Sequence, residues 1–193
     1  RSAILVPDAA LAPGTTYTAR IAGVGSAPRV TDLAGNPLGA DRTWSFTTGA
    51  GPACPCTIWD AGATPAVPSE NDPNAVELGV KFRSDVAGTI SGIRFFKGPA
   101  NTGVHTGNLW TSTGQLLATA TFSNATATGW QQVSFAAPVP ISADTVYVAS
   151  YHTSSGNYAA DPAYFANAGT DRAPLHALRD GTSGGNGVYA YGG

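Results

Sequence analysis

Val76-Glu77-Leu78-Gly79-Val80-Lys81-Phe82 decides the fold class. Val76, Leu78, Val80 and Phe82 fall on one face and Glu77 and Lys81 on the other, the period of two expected of a half-buried β-strand. The same pattern extends outward. Thr89–Lys97 predicts a second strand, interrupted by Gly92. Gly107–Thr111 and Gln115–Phe122 flank the turn Ser112-Thr113-Gly114, a hairpin signal. Trp130–Phe135 and Thr145–Tyr151 predict two more strands, with Val139-Pro140-Ile141 leading into the second through a turn. Successive strands lie roughly 10–15 residues apart, as in a sandwich or jelly roll. From Tyr151 onward the chain reads as loops, with short strands only near Asn157–Ala159 and Gly187–Tyr191.

Toward the N-terminus the pattern repeats on a smaller scale. Ala3–Val6, Tyr17–Ile21 and Trp44–Thr48 read as strands, with Pro13-Gly14 and Asp32–Leu38 as turn-rich connections. Residues 50–57 read as a linker, punctuated by Gly and Pro. The expected organisation is a β unit over 1–49, that linker, and a β-sandwich over 58–193.

Composition agrees. Among 193 residues there are 24 Gly, 14 Pro and no Met, and 11% are charged, against about 25% in an average domain. Strong helix formers are scarce, and no stretch carries helical periodicity with caps. The net charge is −2 and the ten Lys and Arg are scattered, so nucleic acid is a poor partner. No apolar run reaches the roughly 20 residues of a membrane-spanning helix. Arg1 implies an upstream sequence, where an export signal is expected. The low charge and the abundance of Thr and Gly point to a secreted or cell-surface protein.

Two resemblances rest on these residues. "LAPGTTYTARIAGV" (11–24), "VTDLAGNPL" (30–38) and "WSFTTG" (44–49) resemble the C-terminal half of a bacterial Ig-like repeat. "CTIWDAGATPAVPSENDPNAVELGVKFRSDVAGTISGIRFFKG" (56–98), "GWQQVSFAAPVPISADTVYVASYH" (129–152), "APLHALRDG" (173–181) and "NGVYAYG" (186–192) resemble the DUF4082 domain. The resemblance implies a β-sandwich module of secreted bacterial proteins, similar in architecture to carbohydrate-binding modules. The family pattern continues past "YG" with a strand that closes the sheet, so an open edge is expected here, a place for self-association by strand exchange.

Candidate chemistry gathers in loops. Tyr158, Asp161, Tyr164 and Asn167 combine rings with polar groups, the residue types that stack on sugars and fix their hydroxyls; the competing role is plugging the end of the sandwich. His176, Arg179 and Asp180 form the densest polar cluster, suited to hydroxyls or a carboxylated ligand; the competing role is an Asp–Arg clamp of the loop with a hydrogen-bonded histidine. Glu70, Asn71 and Asp72, with Glu77 on the next strand, offer oxygens to a structural Ca2+; a capped turn without metal is the alternative. Gly181-Thr182-Ser183-Gly184-Gly185 matches a nucleophile pattern, but that pattern needs a strand before it and a helix after it, and a Gly-rich loop produces it by chance. Cys54-Pro55-Cys56 leaves open a local bridge, a bridge to another chain or free thiols; one Cys pair alone is too few ligands for zinc. Trp59, Trp110 and Trp130 are expected in strands. The expected function is a non-catalytic binding or adhesion module whose ligand is a polysaccharide or cell-surface glycan. A structural spacer or self-assembling surface protein is the alternative.

Overall fold

In a computed structural model of the protein, residues 6–8, 11–25, 27–51 and 54–192 are described. They contain strands and turns and no helix. The strand expected over Ala3–Val6 lies mostly outside the described residues. The chain divides into two compact units between Ala53 and Cys54, inside the segment read as a linker.

The first unit is built on β1 (Thr16–Ile21) and β2 (Arg42–Thr47), paired antiparallel with Tyr17 opposite Phe46 and Ala19 opposite Trp44. One face of the ribbon is apolar, with the Tyr17 and Phe46 rings stacked at 6.0 Å. The other carries hydroxyl pairs, Thr16–Thr47 and Thr18–Ser45. In the connection, the Asp32 carboxylate accepts from the amides of Ala34 and Asn36 and from the Asn36 side chain. Those donors hold its pKa below the usual carboxylate range.

The second unit contains β3 (Val76–Ser84), β4 (Gly88–Lys97), β5 (His105–Thr111), β6 (Leu116–Thr121), β7 (Gly129–Ile141), β8 (Tyr147–Thr153), β9 (Thr170–Arg172), β10 (Leu175–Ala177) and β11 (Val188–Tyr191). Seven strands form one antiparallel sheet in the order β6-β5-β8-β3-β10-β9, with β11 also on β3. β4 and β7 pair only with each other. Phe82, Leu109 and Tyr147 of the large sheet meet Ile93, Phe95, Phe135 and Ile141 of the small one, with Phe122 closing the cluster. Fully burying a side chain of this kind is worth about 1.5–3 kcal/mol, so this cluster is the chief force holding the two layers together. Ile58, from the irregular segment ahead of β3, packs against the same core.

The ladder explains two features of sequence. Gly92 sits at a register shift in the β4–β7 pair, and a Cβ there would lie 2.0 Å from the Val133 carbonyl oxygen. The shift is possible only because glycine lets the strands approach. Pro140 lies within β7 opposite Thr89; β7 has no strand on its other side among the described residues, the edge position at which a strand tolerates proline.

Some expectations change. Val139-Pro140-Ile141 belongs to β7 rather than to a lead-in. Asn157–Ala159 forms no strand; its neighbour Ala160 makes only an isolated bridge to Val67. The β9–β10 hairpin lies in what reads as loop, because three-residue strands are too short to show alternation. Trp59 stands in an irregular segment, stacked on Trp130 at 6.5 Å, while Trp110 and Trp130 are in strands.

β3 is paired along both edges. β8 takes one edge over its length, while β10 pairs with Phe82–Ser84 and β11 with Val76–Gly79 on the other. Between β10 and β11 the chain loops away, and one side chain fills the gap. Asn186 Oδ1 accepts from the amides of Lys81 and Gly187, both at 2.7 Å. Its Nδ2 donates to the carbonyls of Lys81 and Leu178 at 3.0 and 2.7 Å. The amide side chain thus stands in for a missing strand residue. Asn186→Ala is expected to lower unfolding free energy by about 1–3 kcal/mol, because it leaves half-buried backbone groups unpaired. The check is urea unfolding: the midpoint falls at constant m-value, and an unchanged midpoint would show that water replaces the amide freely.

Candidate functional site

Three chain segments converge beside the start of β3. In the first, Asp72 Oδ1 accepts from the Asn74 amide at 3.1 Å and the Asn74 side chain at 2.8 Å, an Asx-type turn that launches the strand. In the second, the Asn157 amide donates to the Asp72 carbonyl at 2.7 Å, and the Glu70 amide donates to the Tyr158 carbonyl at 2.8 Å. Gly156 makes this approach possible. Its φ is +56°, and a Cβ would lie 2.0 Å from the Asp72 carbonyl oxygen, so only glycine fits. The third is β11, whose register sets Tyr191 opposite Val76, and whose next residue, Gly192, donates its amide to the Ala75 carbonyl.

The registers bring Tyr191 onto Asp72. The Tyr191 hydroxyl donates to Asp72 Oδ2 at 2.7 Å. The Tyr158 hydroxyl faces the same two groups. The Tyr191 bond and the Asn74 donors hold the Asp72 carboxyl below its usual range. Donation to Asp72 pushes the Tyr191 hydroxyl up to about 12. Burial, then the Asp72 charge, raises Tyr158. At neutral pH the group is therefore a carboxylate flanked by two neutral phenols. Tyr189 and Tyr191 project from alternate positions of β11 as residues 67% and 57% exposed, their rings edge to face at 5.8 Å. An open hollow of about 460 Å³ adjoins them, its lining including Asn74, Ala75, Tyr191 and Gly192.

The structure distributes the other candidates. Asp161 Oδ1 accepts from the Ala66 amide at 2.6 Å. Tyr164 packs at 6.2 Å from Trp59 and accepts hydrogen bonds from Trp59 Nε1 and Thr170. Asn167 is exposed in the loop before β9. These three do not join Tyr158. Nor do His176, Arg179 and Asp180 meet. Arg179 is exposed, and Asp180 accepts from the Asn186 amide at 2.7 Å. His176 lies on β10, where strand alternation points it away from its sequence neighbours; its Nδ1 meets Asp171 and its Nε2 meets Asp85, each at 2.6 Å. Arg83 bridges Asp85 and Asp144.

Among the oxygens proposed for calcium, Glu70, Asn71 and Asp72 share a loop, but Glu77 does not turn toward it. Its carboxylate accepts from Asn108 at 2.9 Å and from Ser150 on the sheet face. Among the described residues no three His, Cys, Asp or Glu are grouped to hold a metal ion. Ser183 lies in a loop with no helix behind it. Cys54 and Cys56 are bonded to each other, with Cα atoms 4.5 Å apart.

The comparisons with known proteins fit this two-unit layout. A family model described as a domain of unknown function, DUF4082, matches residues 62–193. The chain belongs to the DUF4082 family. A model described as a bacterial Ig-like domain matches residues 1–48. No curated protein matches, and no solved structure matches. In this DUF4082 chain the pairing missed by sequence is Asp72 with Tyr191, 119 residues apart. The alternation Val188-Tyr189-Ala190-Tyr191 announces the strand but not its partner.

The His176 clasp gives a pH dependence of definite sign. Both ring nitrogens face carboxylates, which requires the imidazolium. Asp171, then Asp85, hold the His176 pKa above its ordinary 6.5. A group whose folded pKa is raised stabilises fully below its unfolded value and loses that contribution as pH rises through the folded one. His105 is opposite: buried against Asn101, its pKa lies below 6.5, mainly through burial, so it destabilises as pH falls. Unfolding free energies of the protein and of His176→Gln should therefore differ most near about pH 5–6 and converge in alkaline buffer. A gap independent of pH would mean the clasp does not carry a proton.

Proposed function

We propose that this chain is a non-catalytic binding module of a larger extracellular bacterial protein, and that its ligand is a surface carbohydrate. The observation that carries the proposal is the Asp72 carboxylate fixed between Tyr191 and Tyr158, beside exposed tyrosine rings. Pyranose rings present apolar C–H faces that lie against aromatic rings, and hydroxyls that donate to an oriented carboxylate. The strand β11 and the Asx turn hold both kinds of group before any ligand arrives, which lowers the ordering cost of binding.

The electrostatics favour binding over hydrolysis. Glycoside cleavage calls for a carboxylic acid of raised pKa to protonate the leaving oxygen, paired with a second carboxylate. Asp72 is shifted the other way, and its oxygens already accept from Tyr191 and Asn74. It suits an acceptor fixed in the ionised state. No helix among the described residues is long and apolar enough to cross a membrane, and the Ig-like neighbour is of a kind often extracellular.

A panel of cell-wall, plant and storage polysaccharides, probed with the whole chain, tests this. A hit should weaken by at least about tenfold in Tyr191→Ala and in Asp72→Ala, the scale of one lost anchoring contact. Tyr191→Phe, which keeps the ring and removes the bond to Asp72, should lose less. Absence of binding across the panel, or binding indifferent to Tyr191→Ala, would sink the proposal.

A further inference from the structure

We propose that Cys54–Cys56 is a thiol–disulfide exchange site, reacting with thiols outside this chain. These are the only two cysteines, and they are bonded across the single residue Pro55. A disulfide stabilises chiefly by closing a loop, and its contribution grows with the length closed. A bridge spanning one residue closes almost nothing, so stapling the fold does not account for it.

The surroundings agree. Neither cysteine belongs to the hydrophobic core cluster. The segment that follows is held without the bridge. The Thr57 hydroxyl donates to the Trp59 carbonyl at 2.7 Å, Ile58 packs on the core, and Trp59 stacks on Trp130. The sandwich thus has the means to stay folded when the bond opens. Cys54 and Pro55 are exposed, whereas Cys56 is half-buried. Exposed disulfides are the exchangeable ones, and accessibility selects which sulfur is attacked.

An incoming thiolate attacks Cys54 Sγ. A bond forms between the external sulfur and Cys54, the Cys54–Cys56 bond breaks, and the electron pair leaves on Cys56 Sγ as thiolate. Cys56, held on the other side of Pro55, returns that pair to Cys54 Sγ and expels the external thiolate. Alternatively, a second external thiol attacks the external sulfur. It releases an oxidised external disulfide and leaves both cysteines reduced, a two-electron transfer. The external reactant is a low-molecular-weight thiol or a cysteine of another protein.

The test uses the whole oxidised chain with reduced glutathione, followed by alkylation, intact mass and a thermal melt. Expected are alkylation of both cysteines in the folded protein and a retained unfolding transition. With oxidised glutathione, Cys56→Ser should gain one glutathione on Cys54, and Cys54→Ser should react at Cys56 about tenfold more slowly. A second arm mixes the oxidised chain with reduced Cys56→Ser. A disulfide-linked pair on a non-reducing gel assigns a protein thiol as partner; reaction with glutathione alone assigns a small thiol. Cysteines that stay closed until denaturant is added, or opening that always abolishes the folded transition, would overturn the proposal.

Discussion

The large sheet of the second unit is hung on β3. Its inner face contributes Phe82 to the core, 2% exposed, and both of its edges are taken by other strands. A strand paired on two sides has its peptide groups satisfied in the sheet. It is also where the chain's distant parts meet. β8 reaches it from beyond four intervening strands, and β10 and β11 reach it from the end. Among the described residues the second layer contains two strands, so the large sheet gains part of its cover from irregular segments such as the one carrying Ile58.

The candidate site follows from that arrangement. β11 adds four residues to the edge of β3, and those four place two tyrosines where the sheet runs out. The turn before β3 supplies Asp72, and Gly156 lets a third segment press against it. No element alone makes the site. Its acidity pattern follows from the same contacts, since the hydroxyl that depresses Asp72 is itself raised by it.

The sequence reveals the parts of this that are local. β3, β4, β5, β6 and β8 are legible because each is six or more residues long and alternates, and the hairpin at Ser112–Gly114 carries turn residues. Tyr158 and Asp72 are visible as a ring and a carboxylate in loops. Their partnership with Tyr191 is invisible, because sheet register is a long-range property with no sequence period. The β9–β10 hairpin escapes for the opposite reason, being too short to alternate. His176, Arg179 and Asp180 look like a cluster only along the chain; His176 is turned by its strand toward Asp85 and Asp171, while Arg179 and Asp180 lie beyond the end of β10. Glu77 fails as a loop ligand for the same cause, since the outer face of the sheet provides Asn108 and Ser150.

Native-state hydrogen exchange of the β3 amides tests the central claim most directly. If β3 is held on both edges, the amides of Val76–Ser84 that face β10, Asn186 and β11 exchange as slowly as those that face β8, limited by global unfolding. Rapid exchange confined to the β10–β11 side would contradict this. It would mean that the last strand is not fixed, and that Asp72 and Tyr191 are not held together as a site.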